Sequence, residues 1–418
     1  MENAYIRPRI LRLDISNLTT HSPSNSNRDD TGMPKHQLFG GYVRGKRSSQ
    51  SIKAARRRYV EEAFANEDRS VRTKHATYAI ADAIQERIDD IDRDEALAYA
   101  AGVMQSIGIV KVRTIKQDFG KLFAFDEEES AYDTGALQFV PNKLISALAD
   151  FACHLRERED VSVTLETKTV GPKSKQFDVL FANVPKKLPE DLKIERESCI
   201  GICGVTPALF GAMNAQNPSF NVDATCQVAS DLGVTPFTIE TDYYSAKDDI
   251  SMFDHSGAAM IGTQAFASMV SYGYTTLDIT HLYEALGNKE MTLHAIRAYV
   301  ESIFFAAPTG KQNTYANRNL PSMVYGRLHY DAPMSLAGAF EQVIVPDSEH
   351  SITGQACRRM TDYVKSMDTA YGFEPVLQRV VVAAPEANPA KELCPEGVVD
   401  VRTFINDLIG AIDDLLEA

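Results

Sequence analysis

The order of strand-like and helix-like periodicities along the 418 residues constrains the fold more than any other feature. Residues 9–16 (RILRLDIS) alternate loosely and read as a first strand. Residues 17–47 are rich in Ser, Asn, Gly and Asp and read as a long loop, followed by a helix from Ser48 and Ser49, good N-cap types. Later segments (SMVYGRLHY, LQRVVVAA) read as strands, and 281–305, GQACRRMTDYVKSMDTAYG and 401–417 as helices. This alternation suggests an α+β chain with a split β-α-β sheet core. Between these parts, 61–205 reads as a mainly helical insertion with a strand pair around Gly171-Pro172. Residues 206–236 show no clear period, and 237–277 (from FTIETDYY onward) return to alternation. The length exceeds one compact core, so lobes or large insertions are expected.

An apolar content of 44% and a charged content of 24% are those of an ordinary globular protein. Six cysteines without a CxxC pair suggest a reducing compartment with thiols as small core residues. The first residues are polar, without a signal-peptide pattern, and no apolar run approaches the ~20 residues that span a bilayer. The expectation is a cytoplasmic protein with no membrane partner.

The net charge is −14, yet residues 31–60 hold eight Lys and Arg and no carboxylate. Gly40, Gly41 and Gly45 permit φ > 0 and close approach of a ligand to the backbone. Ser48 and Ser49 precede a helix whose first N–H groups and positive dipole end favour phosphate. Lys35, Arg44, Lys46, Arg47, Lys53 and Arg57 supply charge, and Lys53, Arg56 and Arg57 are spaced to share an outward helix face. The pattern reads as a site for a run of phosphates on an otherwise acidic body. A solvated basic helix end is the alternative, and the residues alone do not separate RNA from a nucleotide or an acidic partner.

HSPSNSNRDDTGMPKHQLFGG with RGKRSSQSIKAARR, then GTQAFAS (262–268), PTGKQNTYA (308–316) and MSLAGAFE (334–341), resembles the CasC family. These are the backbone subunits of type I-E CRISPR Cascade complexes. The resemblance implies a palm of RNA-recognition-motif-like (ferredoxin-like) topology from 1–60, 206–236 and 271–418, a helical finger at 61–205 and an extended β thumb at 237–270. It implies a non-catalytic subunit, without cofactor or metal, that polymerises along the guide CRISPR RNA in antiviral defence. It further implies that the thumb displaces a nucleotide at regular intervals, so that the guide pairs with target DNA in segments. Implied partners are the CRISPR RNA, the target DNA strand, further copies in a filament and other Cascade subunits (large, small, guide-end-capping and guide-processing). An effector nuclease, recruited indirectly, is also implied.

Arg28, Lys35, Ser48, Gln50, Lys53 and Arg57 fall on guide-contacting positions of the family motif, and Lys311 offers a further backbone contact. Met213 matches a position where an apolar side chain packs on bases, although on the residues alone it reads as a core methionine. Tyr244, Ser245 and Ile261 fall where the thumb flanks the displaced base, a strand-face tyrosine being the alternative. Lys186, Lys187 and Lys193 fall near finger lysines that approach target DNA, where Pro185 and Pro189 interrupt the pattern. The resemblance is weakest over 60–205, and the aromatic signature of RNA-recognition motifs is missing.

Catalytic alternatives are few. Asp254, His255 and Ser256 are consecutive and point apart, so they build no triad. PTGKQ lacks the earlier glycine and the Ser/Thr of a P-loop. Asp29 and Asp30 beside His36 are the main rival, a carboxylate pair for a guide-directed, metal-dependent ribonuclease. Turn hydrogen bonds or pairing with Arg28 are their other reading.

Overall fold

The computed structural model describes residues 9–108, 132, 137–170, 177–214, 218–246 and 260–417. The chain opens with β1 (Arg12–Ser24), β2 (His36–Phe39), β3 (Tyr42–Arg47) and α1 (Ser49–Glu62). Next come β4 (Ser70–Thr73), α2 (Ala76–Gln85), α3 (Arg93–Ser106), β5 (Gln138–Pro141) and α4 (Asn142–Glu157). β6 (Thr164–Val170), β7 (Phe177–Asn183), α5 (Glu190–Ile200) and α6 (Val205–Phe210) follow. The remainder is β8 (Cys226–Val228), β9 (Asp231–Gly233), β10 (Glu240–Ala246), β11 (Met260–Asp278), α7 (Ile279–Leu286), α8 (Lys289–Phe305) and α9 (Gln312–Tyr315). It ends with β12 (Met323–His329), α10 (Ile352–Tyr371), β13 (Leu377–Val382) and α11 (Val401–Glu417).

Two compact units result: residues 1–60 with 226–418, and residues 61–225. The first is an α/β unit around an antiparallel sheet in the order β13-β12-β1-β11-β9-β3-β2, with β8 and β10 also pairing with β11. β1 does not stop at Ser16 as its composition suggested. It runs to Ser24, because the polar residues of its second half are paired: Asn17 Nδ2 donates to Thr19 Oγ1 (3.1 Å), and His21 Nε2 lies 2.8 Å from Ser271 Oγ. The expected loop at 17–47 therefore contains most of one strand and two further strands.

Alternation gives the central sheet two different faces. One carries Leu18, Tyr272, Met323 and Tyr325 and packs against Phe340, Ala356 and Met360. The other holds Gly326, where an added Cβ would come within 2.6 Å of the Phe404 ring of α11. The same ring meets Phe304 of α8 edge-on, with centroids 5.6 Å apart. The single helix expected at 281–305 is two. Gly287 turns left-handed at φ +60° to end α7, and Asn288 caps α8 by accepting from Met291 N (2.8 Å).

The second unit packs α2, α3 and α4 around Ile80, Leu97, Leu148 and Phe151, with Phe181 contributed by the β6–β7 hairpin. Gly102 of α3 lets that hairpin approach, since a Cβ there would meet Ala182 O at 2.4 Å. The small β4–β5 sheet adds two strands to a stretch expected to be mainly helical. Residues 206–225, grouped by sequence with the palm, belong to this unit. The expected division at 270/271 falls inside the unbroken β11. The turn at Gly171-Pro172 and the 254–256 trio lie outside the described residues. No described helix is long and apolar enough to cross a membrane, and the six cysteines are free thiols, four of them buried.

Gly326→Ala is expected to lower stability by about 1–3 kcal/mol by wedging α11 from the sheet. Urea denaturation measures it, and adding Phe404→Leu recovers part of the loss.

Candidate nucleic-acid interface

A shallow concavity in the first unit is lined by His21, Asn25, Asn27, Lys35, Lys46 and Arg47, with Phe237 and Met269 at its base. Backbone bonds fix its rim. Lys35 N donates to Asn27 O (3.0 Å), and Lys46 N donates to Lys35 O (2.9 Å). Asn25 Nδ2 donates to both Gly32 O and Ala265 O (2.9 Å each), tying the 25–34 bend to β11. Asn27 Oδ1 accepts from Ser48 N (2.8 Å), so α1 starts at the edge of the concavity. Gln50, Lys53 and Arg57 then share one face of α1.

The eight cations of 31–60 differ in burial. Lys35, Lys46, Lys53 and Arg57 are half-buried, and Arg58 is exposed, as is Arg28 beyond the segment. Three others are committed to the fold. Arg44 is fully buried and donates to Gly233 O (3.1 Å), Phe340 O (3.1 Å) and Glu341 O (3.3 Å). Its proposed anion contact is therefore withdrawn. Burial, reinforced by Arg359, lowers its pKa. Arg47 bonds Asp231 through Nε (2.7 Å) and Nη2 (2.5 Å), so its charge is compensated even where it borders the concavity. Arg56, expected on the outward face, is buried against Tyr299, with its guanidinium 5.9 Å from the ring centroid.

Of the glycines expected to permit φ > 0, Gly40 and Gly41 do, whereas Gly45 and the two serines do different work from that expected. Gly40 (φ +59°) and Gly41 (φ +81°) form the two-residue turn between β2 and β3. Gly45 admits Phe237 and Met269, whose atoms would lie 2.5–2.7 Å from a Cβ there. Ser48 is buried, and its N–H and that of Ser49 are taken by Asn27 Oδ1 and Ser230 Oγ, so neither is offered to phosphate.

His21 was not singled out by sequence. Burial, and secondly the Arg47 charge, hold its pKa well below the ordinary 6.5. Asp29 Oδ1 accepts from Thr31 N (2.9 Å), Thr31 Oγ1 (2.7 Å) and Met33 N (2.9 Å), a self-contained turn that lowers its pKa. Among the described residues no group of three or more His, Cys, Asp or Glu is placed to hold a metal.

In the β10–β11 hairpin Ser245 stands directly opposite Ile261, and Tyr244 opposite Gly262. The ladder thus brings the three thumb candidates together but splits them between faces, Tyr244 on one and Ser245 with Ile261 on the other. Tyr244 lies over Gly262, where a Cβ would be 2.5 Å from its ring. The neighbouring Tyr243 was missed. It is 64% exposed on the Ile261 face, and Ile261 is 60% exposed. Lys311 Nζ donates to Gln264 Oε1 (3.2 Å).

In the second unit Met213 is 81% exposed, which excludes the core methionine. Lys186 and Lys187 lie exposed in the β7–α5 connection. Lys193 pairs with Glu190 (3.4 Å) on a helix that also bears Asp191, Glu195 and Glu197, so its surroundings are acidic.

The fold is that of chains from RNA-guided surveillance assemblies. A chain of a "CRISPR RNA-guided surveillance complex, pre-nicking" superposes with a TM-score of 0.77 at 26% identity, covering 96% of this chain and 99% of that one. A chain of a second CRISPR RNA-guided surveillance complex has a TM-score of 0.68 at 23% identity, with the same 96% and 99% coverage, and supports the fold alone. The protein belongs to the CT1975-like protein family, whose model matches residues 13–407, and the resemblance to CasC backbone subunits is borne out. No curated protein matches the sequence.

Arg44→Met removes three hydrogen bonds to carbonyls and is expected to cost about 3 kcal/mol of stability, with the salt slope of polyanion binding unchanged; thermal melts and binding titrations check both. His21 is neutral when folded and takes up a proton below pH 6.5 when unfolded. Its contribution to stability is therefore complete above pH 6.5 and lost as pH falls below it, by at most about 1.4 kcal/mol per pH unit. His21→Gln, which cannot titrate, flattens that slope in denaturation series between pH 7 and 5.

Proposed function

We propose that this chain is a non-catalytic, guide-RNA-binding backbone subunit of a type I-E Cascade complex. It polymerises with further copies along the CRISPR RNA and presents the guide to a target DNA strand beside the other Cascade subunits. The observation that carries the reading is the concavity with uncompensated lysines, Lys35 and Lys46, continuing onto the Gln50–Lys53–Arg57 face of α1. A strand of regularly spaced phosphates fits such a track, and the contacts carry no base preference. The sheet order β12-β1-β11-β9 supports a ferredoxin-like palm, because it places the fourth, first, third and second core strands side by side. The hairpin is the thumb in this reading, and its exposed Tyr243 and Ile261 form a sequence-tolerant wedge for displacing a base. Met213 offers a further apolar contact. The triple hydrogen bond at Asp29 Oδ1 favours a turn-forming over a nucleolytic carboxylate.

Titration of single-stranded RNA at several salt concentrations tests this. Lys46→Ala and Lys53→Ala are each expected to reduce the magnitude of the log–log salt slope by about 0.7. Unchanged slopes in both variants would remove the track.

A further inference from the structure

Lys311 differs from Arg44, Arg47 and Lys193 in what holds it. Arg47 and Lys193 are held by carboxylates, and Arg44 is sealed inside the fold. The Lys311 ammonium instead donates to the neutral side-chain amide of Gln264, at 3.2 Å. Tyr315 OH donates to the same Gln264 Oε1 at 3.4 Å, and the Tyr315 ring leans on Phe266, with centroids 6.2 Å apart. The backbone is equally particular. Lys311 (φ +49°) and Ala316 (φ +48°) are the non-glycine residues with left-handed backbone among those described. Gly310 sits so close to the 24–27 bend that a Cβ would lie 2.3 Å from Ser26 O. Strain of this kind persists where surrounding contacts impose it, and it gathers at working sites.

We infer that Gln264 is a positioning residue, which fixes the Lys311 ammonium beside the concavity without itself supplying a counter-charge, the nearest acid in register being Asp242, opposite Gln264 in the β10–β11 ladder. An ammonium has three protons, so one bond to Gln264 leaves two for an anion. A carboxylate at 264 would seat the lysine equally well and neutralise it. Gln264 lies on β11, five residues before Met269 in the wall of the concavity and three after Ile261 in the hairpin. The same strand thus places the cation relative to both. The inference rests on the RNA-binding reading proposed above and adds a residue to it.

The test is fluorescence-anisotropy titration of single-stranded RNA, over a range of salt, with the full chain. Lys311→Ala is expected to reduce the salt-slope magnitude by about 0.7. Gln264→Met, which keeps length but lacks an acceptor, is expected to weaken binding several-fold and lower the slope toward the Lys311→Ala value. Gln264→Glu, which keeps the acceptor and hence the packing, is expected to lower the slope by a similar amount, through neutralisation. Gln264→Met, which changes no charge, should not weaken binding or lower the slope further in a Lys311→Ala background. Equal losses from Gln264→Met in both backgrounds, or an unaltered slope in the Gln264→Glu protein, would overturn the inference. If Lys46→Ala and Lys53→Ala alter the slope but Lys311→Ala does not, the inference falls and the RNA-binding reading stands. If none of the three alters it, the reading itself falls.

Discussion

Ten successive residue pairs, from Arg12–Asp278 to His21–Met269, join β1 to β11 in one antiparallel ladder. Each backbone bond is modest in net worth, but a central strand buried on both faces has no water to fall back on, so the ladder must be complete. Its far end places His21 and Met269 in the concavity, and β11 continues without a break into the hairpin. The concavity and hairpin therefore share one structural member.

On that frame the charges are sorted by what compensates them. A guanidinium with no counter-charge is costly to bury, and Arg44 is tolerated because three carbonyls accept from it. These bonds fasten β3 to β9 and to the carbonyl end of the 3-10 turn at Leu336–Phe340. The Arg47–Asp231 pair does the same between β3 and β9. Part of the basic segment thus builds the wall that holds the remaining cations in place. Deleting charges at random along 31–60 would conflate loss of fold with loss of ligand.

The sequence carried the family and much of the element order, because motifs and apolar periods are local. What it could not carry is distant compensation. Residues 31–60 contain no acid, yet Arg47 finds Asp231, which lies 184 positions away. Arg56 shares helical spacing with Lys53, yet Tyr299 draws it inward. The polar half of β1 reads as loop because hydrogen-bond satisfaction between strands leaves no periodic mark. Gly45 shows the same limit. Nothing in a glycine distinguishes room for a ligand from room for Phe237. Met213 failed in the opposite direction, since its apolar character argued for a core that the fold does not give it.

The partition also explains how an acidic protein can hold a polyanion at all. With a net charge of −14, long-range repulsion opposes approach, and only cations near the ligand and free of carboxylates offset it. Screening at physiological salt confines each charge to about 8 Å, so the distant acids count for little once contact is made. What matters then is whether each nearby cation is already spent. Lys193, on an acidic helix and paired with Glu190, is spent, whereas Lys311, held by an amide, is not. A search for further ligand contacts in this fold should therefore rank cations by the charge of their fixed partners before ranking them by exposure.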